Sequence, residues 1–175
     1  MKRVRHVPTG EATLGPFFPP RYVDAGANDL TSIEGKRAKG EIIEITGRIT
    51  QGDGAPLDNA IVEIWQANAQ GRFDDPDFLG WGRAATDASG IYRFRTIRPG
   101  ACERRAPHVN LLILFSGLMR QLQTVMFFED SADPVLDAVQ PASRRNRLVA
   151  AKEKTDVYRF DIRLRGEGET PFFDD

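Results

Sequence analysis

The sequence predicts an all-β fold: an antiparallel β-sandwich core with an N-terminal arm, long loops and little helix. Three observations carry this expectation. β-Branched and aromatic residues alternate with polar ones in several short runs. Turn-forming clusters such as Gly52-Asp53-Gly54 and Asp87-Ala88-Ser89-Gly90 separate those runs. Only one segment carries a clear helix start, Asp133 followed by Pro134.

Residues 1–39 hold no strong periodic segment. Gly15-Pro16-Phe17-Phe18-Pro19-Pro20 is extended or turn-like, because each proline biases its predecessor away from helix. Leu14, Phe17 and Phe18 are too apolar for a solvated tail, so residues 1–39 read as an arm docked on a partner chain. Residues 40–175 read as the sandwich domain. Residues 41–50 form a strand with Ile43, Ile45 and Ile49 on one face. Residues 60–66 form a second, with Val62 and Ile64 pointing one way and Ile61, Glu63 and Trp65 the other. Residues 91–97 form a third, with Tyr92 and Phe94 inward. Residues 109–115 are almost continuously apolar, which predicts a central strand buried on both faces. Leu122, Thr124, Met126 and Phe128 mark the next strand. Residues 134–140 suit one short helix, and residues 144–153 fit helix or strand equally. Residues 157–164 close the pattern as one strand. Residues 71–82 and 98–107 read as loops, where a sandwich builds its sites.

The composition narrows the function classes. A length of 175 residues with 41% hydrophobic content suits a single compact domain. A net charge of −1 gives no field for nucleic acid or anionic membrane. The basic clusters Lys2-Arg3-Val4-Arg5 and Arg144-Arg145-Asn146-Arg147 read as solvated surface charge, or else as oligomer contacts. Cys102 stands alone, so an internal disulfide is impossible, which fits a cytoplasmic setting. The N-terminus has no apolar signal core, and no apolar run reaches membrane-spanning length.

Residues 106–113 are the most informative stretch. Alternate positions of a strand share a face, and here those positions hold His108 and Asn110. Asparagine offers a transition metal only a weak neutral oxygen. The segment is shaped like half a metal site. It points to a subunit of a metalloenzyme whose metal sits on a different chain.

Several segments together resemble one family. They are Val62-Glu63-Ile64-Trp65-Gln66-Ala67-Asn68-Ala69-Gln70-Gly71, Gly82-Arg83-Ala84-Ala85-Thr86-Asp87, Gly90-Ile91-Tyr92-Arg93-Phe94, Thr96-Ile97-Arg98-Pro99-Gly100 and Ala106-Pro107-His108-Val109-Asn110, with Tyr158-Arg159-Phe160-Asp161-Ile162 and Gly166-Glu167-Gly168-Glu169-Thr170-Pro171-Phe172-Phe173. The ordered set is similar to the intradiol ring-cleaving dioxygenases, and within them to the α-chain branch of the heteromeric protocatechuate 3,4-dioxygenases. The resemblance implies a β-sandwich whose catalytic chains hold one non-haem ferric ion with two tyrosines and two histidines. A catechol chelates that iron, and dioxygen opens the ring between the hydroxyl-bearing carbons. With protocatechuate the product is 3-carboxy-cis,cis-muconate.

Three of the four ligand positions depart from the family pattern. The loop at residues 71–82 offers Phe73, Phe78 and Trp81 but no tyrosine; Ala101-Cys102-Glu103 replaces the second tyrosine; the histidine pair reads His108 and Asn110. The whole chain has 2 histidines and 3 tyrosines, with His6 in the arm and Tyr92 and Tyr158 in strand patterns. The resemblance therefore implies no catalytic or metal-ligating residue in this chain. It places Fe(3+) on a partner β subunit, within a higher hetero-oligomer of αβ units acting on protocatechuate and O2. It also implies that the arm segment Thr13-Leu14-Gly15-Pro16 walls the substrate pocket of that partner, through Thr13, Gly15 and Pro16. Leu14, Phe17, Phe18, Phe172 and Phe173 are the candidate contacts to it. Cys102 reads as an inert remnant, Trp65 and Trp81 as core or interface, and Asp74, Asp75 and Asp77 as a polar loop rather than a calcium site. Two other readings stand beside this one. One is a sandwich binding module with no dioxygenase partner. The other is an independent metalloenzyme using His6, His108 and acidic loop residues.

Overall fold

The computed structural model describes residues 18, 26–118 and 121–173. Along the chain run β1 (Ser32–Ile33), β2 (Lys36–Arg37), β3 (Ile42–Thr50), β4 (Ala60–Gln66), β5 (Trp81–Ala85), β6 (Ile91–Ile97), β7 (His108–Phe115) and β8 (Leu122–Phe127). Then come helix α1 (Pro134–Ala138), a 3₁₀ helix at Ala142–Leu148, β9 (Ala151–Lys152), β10 (Val157–Arg159) and β11 (Ile162–Arg163). The strands form two main sheets and the small β1–β2 hairpin. One sheet has the order β5-β4-β7-β8 and is antiparallel throughout. The other is built on β3, which pairs with β6 on one side and with β10 and β11 on the other; β9 pairs with β10.

The core lies between these sheets. Period-two alternation turns Ile43, Ile45, Ile49, Tyr92 and Phe94 of one sheet toward Val62, Ile64, Val109, Leu111, Ile113 and Met126 of the other, all buried. Each such side chain contributes about 1.5–3 kcal/mol by leaving water.

The expected sandwich is present, and the structure corrects several details. Residues 157–164 form two short strands instead of one, and they pair parallel to β3. The break falls at Phe160 and Asp161. The Phe160 carbonyl passes so close to Gly47 that a Cβ there would lie 1.9 Å from its oxygen. The buried Tyr92 hydroxyl donates to that same carbonyl at 2.6 Å. Residues 81–85, partly assigned to a loop from sequence, form β5, because pairing with β4 overrides their weak strand pattern. The ambiguous residues 144–153 resolve into the end of the 3₁₀ helix followed by β9. Residues 134–140 give a shorter helix than expected, with Asp133 as its N-cap and Pro134 in the first turn.

β7 is central but not buried on both faces. Val109, Leu111 and Ile113 face the core, whereas Asn110, Leu112 and Leu114 are only partly covered on the outer face. One end of that outer face is roofed by α1 and the 3₁₀ helix, through a second cluster of Val125, Phe127, Leu136, Val139 and Leu148. The other end is open and carries Trp65, which is 44% exposed.

Residues 26–39, counted above with the arm, bond to this chain's own sheets. Leu30 donates to the Arg95 carbonyl at 2.8 Å and Arg95 to that of Asn28 at 2.9 Å, while Arg83 of β5 donates to the Ala27 carbonyl at 2.8 Å. One segment thus covers the margins of both β5 and β6, which would otherwise be open strand edges. The tail does the same for β8. Phe173 donates to the Gln123 carbonyl at 2.9 Å, and the Thr124 hydroxyl donates to that of Pro171 at 2.8 Å. Phe172 and Phe173, the candidate partner contacts of the tail, pack on the two clusters of this chain and stay partly exposed. Thr13, Gly15 and Pro16, with Leu14, Phe17 and His6, lie outside the described residues.

Candidate functional site

Three of the segments that carry the family resemblance, residues 62–71, 96–100 and 106–110, meet at one end of the β5-β4-β7-β8 sheet. β7 supplies His108 and Asn110, the loop after β4 supplies residues 67–80, and the loop after β6 supplies residues 98–107. Two glycines press these loops together. A Cβ on Gly71, whose φ is +78°, would lie 1.8 Å from the Ala101 carbonyl oxygen, and one on Gly100 would lie 2.5 Å from that of Ala69.

Asn68 organises the first loop. Its Oδ1 accepts from the backbone N–H groups of Gln70 and Arg72, both at 2.9 Å, and its amide donates to Asp75 at 2.7 Å. The Asn68 amide and the Asp77 N–H hold the Asp75 carboxyl below the usual carboxylate range. Asp74 pairs with Arg72 and Asp77 with Lys36, each at 2.9 Å, so all three acidic side chains of this loop are engaged. Phe78 anchors the loop in the core. Phe73 lies flat on Trp65, with ring centroids 6.1 Å apart and planes 6° apart.

Asp133 organises the second loop. Its side chain is fully buried and accepts from three donors in two segments: Arg105 Nε at 2.8 and 3.1 Å, the Ala106 N–H at 2.9 Å and the Val135 N–H at 2.8 Å. Burial alone would raise its pKa; the Arg105 guanidinium and the two backbone donors overcome that and hold it below the usual range. Cys102 and Arg105 exchange backbone hydrogen bonds at 3.1 and 2.8 Å, closing a tight turn in which Glu103 has a φ of +52°. Arg105 is thus committed to Asp133. Arg98 is committed to the Tyr158 hydroxyl and the Phe128 face, 4.8 Å from the ring centroid. Arg144 pairs with Glu169, and Arg145 pairs with Asp130 and Asp137, so two of the three arginines of the second basic cluster are paired within the chain.

These residues do not fit a ferric ion. His108 is 7% exposed; its Nδ1 lies 2.7 Å from the Ala106 carbonyl, and its ring packs 5.9 Å from that of Phe127. Burial lowers its pKa; the Ala106 carbonyl opposes this, and Arg105 adds to it. Asn110 turns its amide to the Trp65 carbonyl at 3.3 Å. Hard ferric iron favours anionic oxygen donors, whereas the 67–80 loop lays Phe73 on Trp65 and β5 sets Trp81 opposite Trp65. Among the described residues no three His, Cys, Asp or Glu side chains cluster as metal ligands. Sequence reasoning singled out His108, Asn110 and Cys102 but missed Asn68 and Asp133 as organisers. The only local signals were Asn68 two and four residues before the N–H groups it binds, and Asp133 read merely as a helix start.

The dioxygenase family model Dioxygenase_C matches residues 14–166. The chain belongs to this dioxygenase family. It is 35% identical to the protocatechuate 3,4-dioxygenase alpha chain of Burkholderia cepacia, a match covering 95% of this chain and 96% of that one. It is 36% identical to the beta chain from the same organism, over 82% of this chain and 74% of that one. The two identities are nearly equal, and the coverage is larger for the alpha chain. Among solved structures, the dioxygenase domain of a dioxygenase carbohydrate-binding protein fusion from Streptomyces sp. SirexAA-E shares the fold. Its TM-score is 0.64 at 23% identity, covering 94% of this chain and 100% of that one. The family uses non-haem Fe(3+). Among the described residues no helix is long and apolar enough to cross a membrane.

Proposed function

We propose that this chain is the non-iron α subunit of a protocatechuate 3,4-dioxygenase. In this reading, Fe(3+) is held by a partner β chain in a hetero-oligomer of αβ units in the cytoplasm. The assembled enzyme cleaves protocatechuate between its two hydroxyl-bearing carbons and adds both atoms of O2, giving 3-carboxy-cis,cis-muconate. The observation that carries the reading is a pairing of two facts. The chain matches an alpha chain over nearly the full length of both, and the side chains at its own degenerate site are an imidazole tied to a carbonyl, an amide and aromatic rings.

The part of the 1–39 arm before Gly26 extends to the partner in this reading. Thr13, Gly15 and Pro16 wall the partner's substrate pocket: glycine lets backbone approach a ligand closely, and proline fixes the wall. The Thr13 hydroxyl, or a backbone N–H beside it, supplies a hydrogen bond to the substrate carboxylate.

Co-expression with a β chain, followed by iron analysis and ring-cleavage kinetics, tests the proposal. The expected result is iron and activity in the αβ complex only. Stoichiometric iron and ring cleavage by the lone chain would refute it. Deleting residues 1–20 should weaken assembly or raise KM while leaving the iron absorbance of the complex in place.

A further inference from the structure

At the end of the sandwich away from His108, a cavity of about 580 Å³ opens between the two sheets, floored by Phe115, Leu118, Leu122 and Leu164. Phe115 ends the β7 strand that His108 begins, about 23 Å further along an extended chain. The volume lies within the range of small-molecule sites, about 300–1,000 Å³. All four apolar side chains are only half-buried. Phe115, Leu122 and Leu164 lean on the main core cluster, so the cavity is an outward extension of the core.

The polar groups gather on one lip. Pairing of β11 with β3 carries Arg165 beside Gln51, since Leu164 donates to the Thr50 carbonyl at 3.0 Å. The Arg165 stem lies against Gly52, where a Cβ would fall 2.8 Å from its Cγ, and glycine leaves it that room. Arg163 donates to the Gly52 carbonyl at 2.9 Å and holds the same turn. The Arg165 guanidinium has no hydrogen-bond or ion-pair partner among the described residues. Asp53, on the same lip, is engaged: its Oδ1 accepts from the Ala55 N–H at 3.0 Å. A guanidinium presents paired, planar donors that match a carboxylate. The floor of three leucines and one phenylalanine offers no tryptophan or tyrosine to stack on a ring, which suits an aliphatic body better than an aromatic one.

We propose that this cavity binds a single-chain aliphatic carboxylate, with its chain on the Phe115–Leu118–Leu122–Leu164 floor and its head on Arg165. The exposed Gln51 amide supplies a second donor to the head. The site is separate from the degenerate ligand positions at the other end of β7. It does not rest on the α-subunit reading, because every group it uses belongs to this chain.

Titration of the full-length chain with sodium decanoate tests it, read by isothermal calorimetry and by leucine-methyl NMR. Saturable one-to-one binding below the micellar range is expected, with shifts centred on the methyls of Leu118, Leu122 and Leu164. Decyltrimethylammonium, the same chain with the opposite head, should bind at least about fivefold more weakly, the factor of one exposed ion pair. R165Q should weaken decanoate by about the same factor, and L118W should fill the cavity and abolish binding. Vesicles of phosphatidylglycerol separate a free acid from a membrane headgroup, and the chain should not float with them. The proposal is overturned by a titration that does not saturate, by equal affinity for the two heads, or by unchanged affinity in R165Q. Shifts centred on the Trp65–Trp81 face, or flotation with vesicles without decanoate binding, would overturn it as well. The methyl shifts and the head comparison are read on the wild type, so they decide the matter even where L118W does not fold.

Discussion

Replacing Asp133 by alanine tests the claim that one buried carboxylate ties the 98–107 loop to α1. The substitution removes the helix cap on Val135, worth about 1 kcal/mol. It leaves the Ala106 N–H without its acceptor, at about 1–3 kcal/mol. It also strands Arg105. A fully buried pair broken on one side costs about 3–5 kcal/mol, but the Arg105 side chain is 28% exposed and can turn to water, so only part of that applies. Overlapping contacts are not additive, and a net loss of about 2–4 kcal/mol is expected. Urea unfolding is the assay. With a slope of about 2 kcal/mol/M, the midpoint should fall by about 1–2 M. The more conservative D133N should lose less, and its deficit should depend on pH. The Asp133 carboxyl titrates lower in the folded chain than in the unfolded one. Its stabilisation is therefore complete above the unfolded value of about 3.9 and is lost as pH falls through the folded value. The gap between wild type and D133N should be full at pH 7 and should close in acid. A midpoint change of less than about 0.3 M for D133A, or a gap that does not vary with pH, would refute the reasoning.

G71A should destabilise the chain by at least about 1–3 kcal/mol, because its Cβ would meet the Ala101 carbonyl and alanine disfavours a φ of +78°; thermal melting reads this. Y92F removes the hydroxyl on the Phe160 carbonyl and should cost about 1–3 kcal/mol in urea, leaving that buried acceptor unpaired. His108 titrates lower when folded, so the unfolded chain takes up its proton first. Stability should fall as pH drops through about 6.5, and H108Q should flatten that slope in urea titrations.

Much of the sandwich was legible because its determinants are local. Ile43, Ile45 and Ile49 alternate along β3, and Tyr92 and Phe94 along β6, whatever surrounds them. The parallel seam was not legible, since nothing near Val157 states that its partner is Glu44. Nor was the half-open outer face of β7: an apolar run reads as doubly buried, and only the position of α1 at one end shows which part is roofed. At the site, the absence of tyrosine from residues 71–82 and 101–103 and the asparagine at 110 were readable directly from the sequence. The roles of Asn68 and Asp133 were hidden, because each acts by gathering backbone groups from segments that meet only on folding.

The seam between β3 and β10 also bears on synthesis. Arg48 and Asp161, which bond across it, are separated by 113 residues in the chain. The four-stranded sheet closes over much shorter loops and is complete once β8 has emerged, whereas β3 then still lacks a neighbour on one side. Such long-range pairing is slow, and it leaves a strand margin bare on the ribosome in the meantime. Nascent-chain aggregation should therefore peak after β8 emerges and subside once β10 and β11 have been translated.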